Sequence, residues 1–185
     1  MKHISIILAF LMTVGSQAGA ADPADLQKLK DTGGCMKCDL ESADMSGASL
    51  ESADLRRANL KGADLSGADL QGANLKEANL EDANLKGAYL RSATFWDANL
   101  KEADLRGANL EGAYLRRADL QRANLEGADL RGVDLRGANL WSVNLRGADL
   151  SASNLIEAKL NYARMKGAIL CNTIMPDGSV VYKGC

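Results

Sequence analysis

The chain has 185 residues, of which 46% are hydrophobic and 25% charged, and its formal net charge is −2. This length fits one domain, and the near-neutral charge predicts neither a nucleic-acid partner nor strong attraction to a membrane. His3 is the only histidine. If the N-terminus is removed, Ser-His-Asp or Cys-His catalysis and histidine-ligated metal sites are excluded.

The first twenty residues have the pattern of a secretory signal peptide. Lys2 and His3 give a positive start, residues 4–14 form an apolar run, and small residues follow at positions 18–20. This arrangement predicts cleavage after Ala20. An uncleaved membrane anchor is the alternative, but it needs about 20 apolar residues. We therefore expect a periplasmic or secreted protein whose mature chain has no membrane span.

A short amphipathic helix is predicted in the segment before the repeats, residues 21–37. Asp22 suits the N-cap, Pro23 suits the first helical position, and Gly33 follows where the helix would end. Because the open ends of a stacked sheet invite aggregation, we interpret this segment as an N-terminal cap.

From residue 38 to residue 172 the sequence repeats with a period of five. Every fifth position from Leu40 to Leu170 is taken as the centre of a unit, which gives 27 units. Leu stands at 24 of these centres, and Ala stands two places before the centre in 23 units. Asp or Asn stands between them in 20 units. A helix advances by about 500° in five residues, and a strand turns inward at every second residue, so neither explains the spacing. The pattern predicts short extended pieces joined by turns and wound into a solenoid.

The glycines predict the number of sides per coil. In one series of units, Gly always follows the centre by two places, at Gly47, Gly67, Gly87, Gly107, Gly127, Gly147 and Gly167. A spacing of twenty residues means four sides, and the repeats then make about 6.5 coils. This glycine would be the third residue of a turn, where a type II turn requires positive φ. We therefore expect type II turns along one edge and mixed turn types at the other corners.

The A-(D/N)-L-x-x pattern resembles the pentapeptide repeat family. The resemblance covers residues 38–172 and implies an all-β fold, a right-handed four-sided parallel β-helix. Its interior would be filled by Leu and Ala, with no lumen for a ligand. Residues 173–185 contain two β-prone runs around a Pro-Asp-Gly turn, which predicts a C-terminal hairpin cap. The MPDG sequence in this tail also resembles the C-terminal segment of many family members.

Four cysteines lie near the two ends of the predicted solenoid. In an oxidising compartment we expect one disulfide between Cys171 and Cys185 and a structural disulfide between Cys35 and Cys38. A redox role for the second pair is the alternative, although no thioredoxin-like strand and helix surround it. A four-cysteine zinc site is excluded because its ligands would lie at opposite ends of a rod.

Any function should lie on the outer surface, and the wall that begins at Leu55 is the most distinctive. Its basic and aromatic candidates for a binding face are Arg56, Lys76, Trp96, Tyr114, Arg116 and Arg136. This composition is typical of a recognition surface. The alternative is an ordinary solvated face, neutralised by Asp54, Glu77, Asp97, Asp134 and Glu157. A weaker candidate pairs Trp141 with Tyr162, which would stack on adjacent coils.

These observations favour a non-catalytic exported protein, a rigid scaffold for protein interactions in the cell envelope. An envelope glycan-binding or surface-binding module is one alternative. Some family members resemble duplex DNA and protect DNA gyrase, but that reading requires a cytosolic, strongly acidic rod. An enzyme is not expected, because the chain offers no cleft and no nucleophile beside a base. We expect no metal, cofactor or nucleic acid, and a protein or glycan partner in the envelope.

Overall fold

A computed structural model describes residues 20–185, so the predicted signal peptide lies almost entirely outside the described residues. The first element is helix α1 (Pro23–Thr32). Asp22 caps it, its side chain accepting from the N–H of Ala24 at 2.8 Å, and Gly33 ends it with a φ of 68°. Leu29 is buried and joins the helix to the hydrophobic core.

The chain then winds into a coil with four sides. Isolated parallel bridges join residues twenty positions apart, from Gly34 with Asp54 to Asn154 with Ile174. Each five-residue unit contributes one bridging position, so four units complete a coil. The four-sided winding predicted from the glycines is therefore confirmed.

The backbone N–H groups of a unit are satisfied with the help of its Asp or Asn side chain. Leu65 and Gly67 donate to the next coil at 2.7 and 3.0 Å, and Asp64 donates to the preceding coil at 2.9 Å. Ala63 donates across its corner at 3.1 Å. The remaining N–H, that of Ser66, donates to the Asp64 carboxylate at 2.9 Å. All twenty Asp and Asn side chains at this position of the repeat accept the same bond.

Leu and Ala side chains fill the interior along the whole coil. Phe95, the one aromatic centre, is fully buried among them. Burying one Leu contributes about 1.5–3 kcal/mol before chain entropy is subtracted. Two polar side chains lie in this core near the C-terminal end. The Thr173 hydroxyl donates to the carbonyl of Leu150 at 2.8 Å, whereas the Ser153 hydroxyl has no partner in the described structure.

The corners differ from the prediction. The third residue of every turn from Lys37 to Asn172 has a positive φ, and most of these residues are not glycine. The expectation of mixed turn types at three corners is therefore wrong. At each corner the Ala and Leu side chains must point inward while the N–H of the third turn residue donates to the next coil. The N–H of Arg57, for example, donates to the Lys76 carbonyl at 2.9 Å. The hydrogen bond and the packing offset the roughly 1–2 kcal/mol that a side chain costs at this φ.

Two strands form an antiparallel hairpin at the C-terminal end. These are β1 (Leu170–Ile174) and β2 (Val180–Lys183), with a bulge in β1 between Cys171 and Thr173. Leu160 and Met165 of the last coil are only partly buried, so the hairpin does not cover that coil completely.

A disulfide lies at each end of the coil. Cys35 and Cys38 are the first and fourth residues of the first corner, with Cα atoms 5.3 Å apart. Cys171 and Cys185 tie the chain end to β1, with Cα atoms 4.9 Å apart. Within residues 20–185, no helix has the length and hydrophobicity that crossing a bilayer requires.

Candidate functional site

The basic and aromatic residues of the wall that begins at Leu55 form a column on successive coils. The column consists of residues twenty apart, because each unit lies over the unit of the preceding coil. The N–H of Glu77 donates to the Trp96 carbonyl at 2.9 Å, and that of Asp97 donates to the Arg116 carbonyl at 3.1 Å. We call the residues Arg56, Lys76, Trp96, Arg116 and Arg136 the Trp96 column.

Trp96 lines a hollow on the surface of this wall. The guanidinium carbon of Arg116 lies 5.8 Å from the centroid of the Trp96 ring, a cation–π distance. The hollow has a volume of about 310 Å³ and is lined by Lys76, Trp96, Asp97, Arg116 and Arg117. The structure therefore brings three of the predicted face residues to one place.

Most cations of this wall are neutralised by a carboxylate of their own. Arg117 forms a fork on Asp97, with two N–H···O distances of 2.7 and 2.8 Å. Arg56 forms the same kind of fork on Asp54, at 2.7 and 2.6 Å. Hydrogen bonds from these guanidiniums hold the pKa of both carboxyls below the ordinary value. For these residues the structure favours the solvated-face interpretation.

The two cations beside Trp96 are less well neutralised. Lys76 reaches Glu77 only at 3.6 Å, and Glu77 already accepts from Arg57 at 2.6 Å. Arg116 reaches Asp134 only at 3.8 Å, and Asp134 is engaged by a fork from Arg136. The column is therefore most open to an added anionic group at the place where it also presents an indole. Such a hollow can hold a ligand that has a flat face and an acidic group.

Tyr114 is not part of this hollow. Its backbone bridges Thr94 on the neighbouring coil, and its side chain is 45% exposed. Among the described residues its ring contacts no other aromatic ring. The prediction that it joins Trp96 in one face therefore rests on its position alone and stays a prediction.

Trp141 and Tyr162 are in contact, but they do not stack. Their ring centroids lie 5.7 Å apart at an interplanar angle of 77°, an edge-to-face arrangement. The predicted pairing on adjacent coils is present, and the two rings meet edge to face rather than stacked.

One rule of charge pairing was missed at the level of sequence. Wherever the repeat reads Asp-Leu-Arg, the guanidinium folds back onto the Asp two residues earlier, at Arg56, Arg106, Arg131 and Arg136. Where Asn replaces Asp this local pair cannot form, and two such cations, Lys86 and Arg146, have no carboxylate of a described residue within 4.0 Å. The Asp-Leu-Arg pattern that predicts this local pair is visible in the sequence, whereas Lys61, Lys76 and Lys101, which follow Asn-Leu, find carboxylates elsewhere on the coil.

One group of side chains in the described region has the spacing of a metal site. Ligand atoms of Asp25, Cys35 and Cys38 lie within 4.8 Å of one another. Both sulfurs are held in a disulfide, so they provide no thiolate ligand here. The Asp25 carboxylate instead accepts from the N–H of Asp39 at 2.8 Å, which joins α1 to the first coil.

Comparison with known proteins relates the repeat to one family. The family model "Pentapeptide repeats" matches in eight copies, over residues 35–72, 58–97, 68–107, 98–137 and 134–172. A search of the curated proteins found no match.

Three solved structures are among those similar to the chain. HetL, a pentapeptide repeat protein involved in heterocyst differentiation regulation from Nostoc sp. strain PCC 7120, is 37% identical, covers 80% of this chain and 76% of its own, and has a TM-score of 0.38. Rfr23, from the cyanobacterium Cyanothece 51142, is 30% identical, with coverage of 78% and 92% and a TM-score of 0.43. QnrB1, a plasmid-mediated fluoroquinolone resistance protein, is 19% identical, with coverage of 72% and 83% and a TM-score of 0.41.

The family match and the four-sided coil agree with each other. The repeat that the family model recognises is the same five-residue unit that forms one side of the coil. The chain belongs to the pentapeptide repeat family, and this membership implies a right-handed quadrilateral β-helix.

Proposed function

We propose that this chain is an exported, non-catalytic scaffold of the cell envelope that presents the Trp96 column to a protein partner. The observation that carries the proposal is the hollow in which Trp96 lies between two incompletely neutralised cations, Lys76 and Arg116. The interior is occupied by packed Leu and Ala side chains, so recognition falls to the outer walls. Exposed tryptophan with arginine is the composition of protein-binding hot spots.

The two disulfides support export. Disulfides form and persist in oxidising compartments, whereas cytosolic thiols are kept reduced. Both lie where the repeat meets another segment, at the first corner after α1 and at the C-terminal hairpin. In this proposal α1 and the hairpin act as caps that protect the ends of the stacked ladder from edge-to-edge association.

A glycan partner is the alternative use of the same hollow, because an indole face can also pack against a sugar ring. No structural observation favours DNA mimicry. The formal charge of −2 and the basic Trp96 column are opposite to the strongly acidic surface that duplex DNA presents.

Export is tested by expressing the full chain and analysing it in the envelope fraction. We expect an intact mass that begins at Ala21, and no added mass when the unreduced protein is treated with a thiol alkylator. After reduction, four alkyl groups should be added, one for each cysteine. Free thiols in the native protein, or retention of the full chain in the cytosol, would refute export.

The binding face is tested by chemical crosslinking in envelope extract followed by mass spectrometry. The variant Trp96→Ala/Arg116→Glu removes the indole and reverses the adjacent charge. The matched control Tyr89→Ala/Arg131→Glu makes the same kinds of change on a neighbouring wall. We expect a crosslinked partner with the wild type and the control, and its loss with the Trp96 variant. Equal recovery with all three proteins would show that the partner binds elsewhere.

A further inference from the structure

The ion pairing of the coil changes abruptly near its C-terminal end. Between residues 56 and 136, every Lys and Arg except Lys86 has a carboxylate oxygen within 4.0 Å. From residue 140 onward, no described Lys or Arg has one, and these unpaired cations are Arg146, Lys159, Arg164, Lys166 and Lys183. Unpaired cations are thus concentrated in the last two coils and the hairpin.

Three of these cations lie on one wall of adjacent coils. The N–H of Leu145 donates to the Arg164 carbonyl at 2.8 Å, and that of Gly147 donates to the Lys166 carbonyl at 3.1 Å. Arg146 and Lys166 therefore occupy equivalent positions on consecutive coils. Like charges at this spacing repel each other, and within the described part of the chain no carboxylate oxygen lies within 4.0 Å of either side chain.

The carboxylates of the same region are engaged or lie on another wall. Asp149 accepts from the N–H of Ser151 at 2.9 Å, and Asp177 accepts from the N–H of Ser179 at 3.0 Å. Glu157 donates its N–H to the carbonyl of Pro176 at 3.1 Å, so it lies beside the hairpin turn. None of these carboxylates, nor that of Glu126 on the coil before Arg146, lies within 4.0 Å of a cation of this wall.

Exposed aromatic and aliphatic side chains surround the same end. Tyr162 is 78% exposed, Tyr182 is 68% exposed, and Val180 is 44% exposed. Leu160 and Met165 of the last coil are only partly buried. Tyrosine with unpaired Lys and Arg around an apolar surface is the composition of segments that lie at a lipid–water interface.

We propose that the C-terminal end of the rod docks end-on to a membrane surface rich in anionic phospholipids. The unpaired cations contact the lipid headgroups, and the exposed tyrosines lie at headgroup level. A second copy of the chain is a poorer occupant, because two such ends would bring their cations together. The sequence predicted no strong membrane attraction from a net charge of −2. The attraction is local, because between residues 56 and 136 every Lys and Arg except Lys86 has a carboxylate within 4.0 Å. The inference does not depend on the proposed Trp96 partner.

The experiment is co-sedimentation of the purified protein with vesicles. One set contains phosphatidylcholine alone, and the other contains phosphatidylcholine with about one third phosphatidylglycerol, at two salt concentrations. The test variant Arg146→Gln/Arg164→Gln/Lys166→Gln removes three unpaired charges. The control Arg57→Gln/Arg117→Gln/Arg131→Gln removes three paired ones, so both variants have the same net charge. A third variant, Tyr162→Ser, tests the aromatic contribution. Circular dichroism and thermal melting establish that each variant is folded.

We expect binding to the anionic vesicles only, weaker at higher salt. Since each cation near an anionic membrane contributes about 1 kcal/mol, the test variant should bind at least roughly tenfold more weakly. The control should remain within about threefold of the wild type, and Tyr162→Ser should fall between them. Equal loss with control and test variants would overturn the proposal, as would equal binding to neutral vesicles. Binding to soluble heparin but not to the anionic vesicles would also overturn it, in favour of a polyanionic polymer.

Discussion

The side-chain amide of Asn144 joins its coil to the preceding one through Asn124. Its nitrogen donates to the Asn124 oxygen at 2.9 Å and to the Glu126 carboxylate at 3.1 Å. Its oxygen accepts from the N–H of Arg146 at 3.4 Å. The same residue type thus satisfies the corner and links two coils.

We predict that Asn144→Ala destabilises the protein by about 1–3 kcal/mol, because it leaves partly buried polar groups without partners. The control is Asn154→Ala, because Asn154 accepts the corner N–H of Ile156 at 3.0 Å but makes no side-chain bond to another coil. Its cost should be smaller, near 1 kcal/mol. Urea denaturation measures both. Equal losses would show that the side-chain bond between coils contributes nothing.

Gly107→Ala should destabilise the protein through backbone conformation alone. Gly107 has a φ of +63°, and a Cβ there would meet no atom within 4 Å. The left-handed conformation then costs about 1 kcal/mol for alanine, and asparagine should cost less. Thermal melting of Gly107→Ala, Gly107→Asn and the exposed control Lys86→Ala tests this order. A Gly107→Ala protein that melts at the same temperature as the wild type would contradict this order.

The C-terminal disulfide should stabilise the hairpin locally. Its loop spans 14 positions, so in the chain-entropy model it contributes about 3 kcal/mol, and the shorter Cys35–Cys38 loop contributes less. Since each coil contacts only its neighbours, the effect should remain near the break. Hydrogen exchange of Cys171→Ala/Cys185→Ala should therefore show loss of protection in β1 and β2 and little change near Leu105. Uniform loss along the rod would indicate global cooperativity instead.

Acid should weaken the fold through carboxylates paired with arginine. The hydrogen bond from Arg106 is the main reason that the pKa of Asp104 lies below its ordinary value of 3.8. Because this pKa is lower in the folded state, the stabilisation is present above the ordinary value and is lost as the pH falls through the folded-state pKa.

The variant Asp104→Asn isolates this contribution. Asparagine can still accept the corner N–H, as Asn84 does one coil earlier from Lys86 at 3.2 Å. We expect a smaller difference in unfolding free energy between pH 7 and strongly acidic pH than in the wild type. Lys166→Gln, which removes a cation with no described carboxylate within 4.0 Å on a distant coil, should leave that difference unchanged. An unaltered acid dependence in Asp104→Asn would show that the Asp104–Arg106 pair is not a source of it.

The sequence was sufficient to predict the four-sided coil. Leu, Ala and the Asp or Asn between them recur with a period that neither a helix nor a flat strand can accommodate, and the glycine series gives twenty residues per coil. Local chemistry also explains the bonds from the corner N–H groups to the Asp and Asn side chains, because acceptor and donor are only two residues apart. The positive φ at every corner was missed, since composition reveals it only where glycine is used.

The tertiary structure decided which charged and aromatic groups are available. Arg117 and Asp97 lie twenty residues apart and form a fork only because the coil stacks them, whereas the two cations flanking Trp96 must share carboxylates. The edge-to-face angle of Trp141 and Tyr162 also depends on side-chain packing between coils. The repeat determines the positions of the backbone, but the competition among neighbouring side chains for each carboxylate is settled in three dimensions.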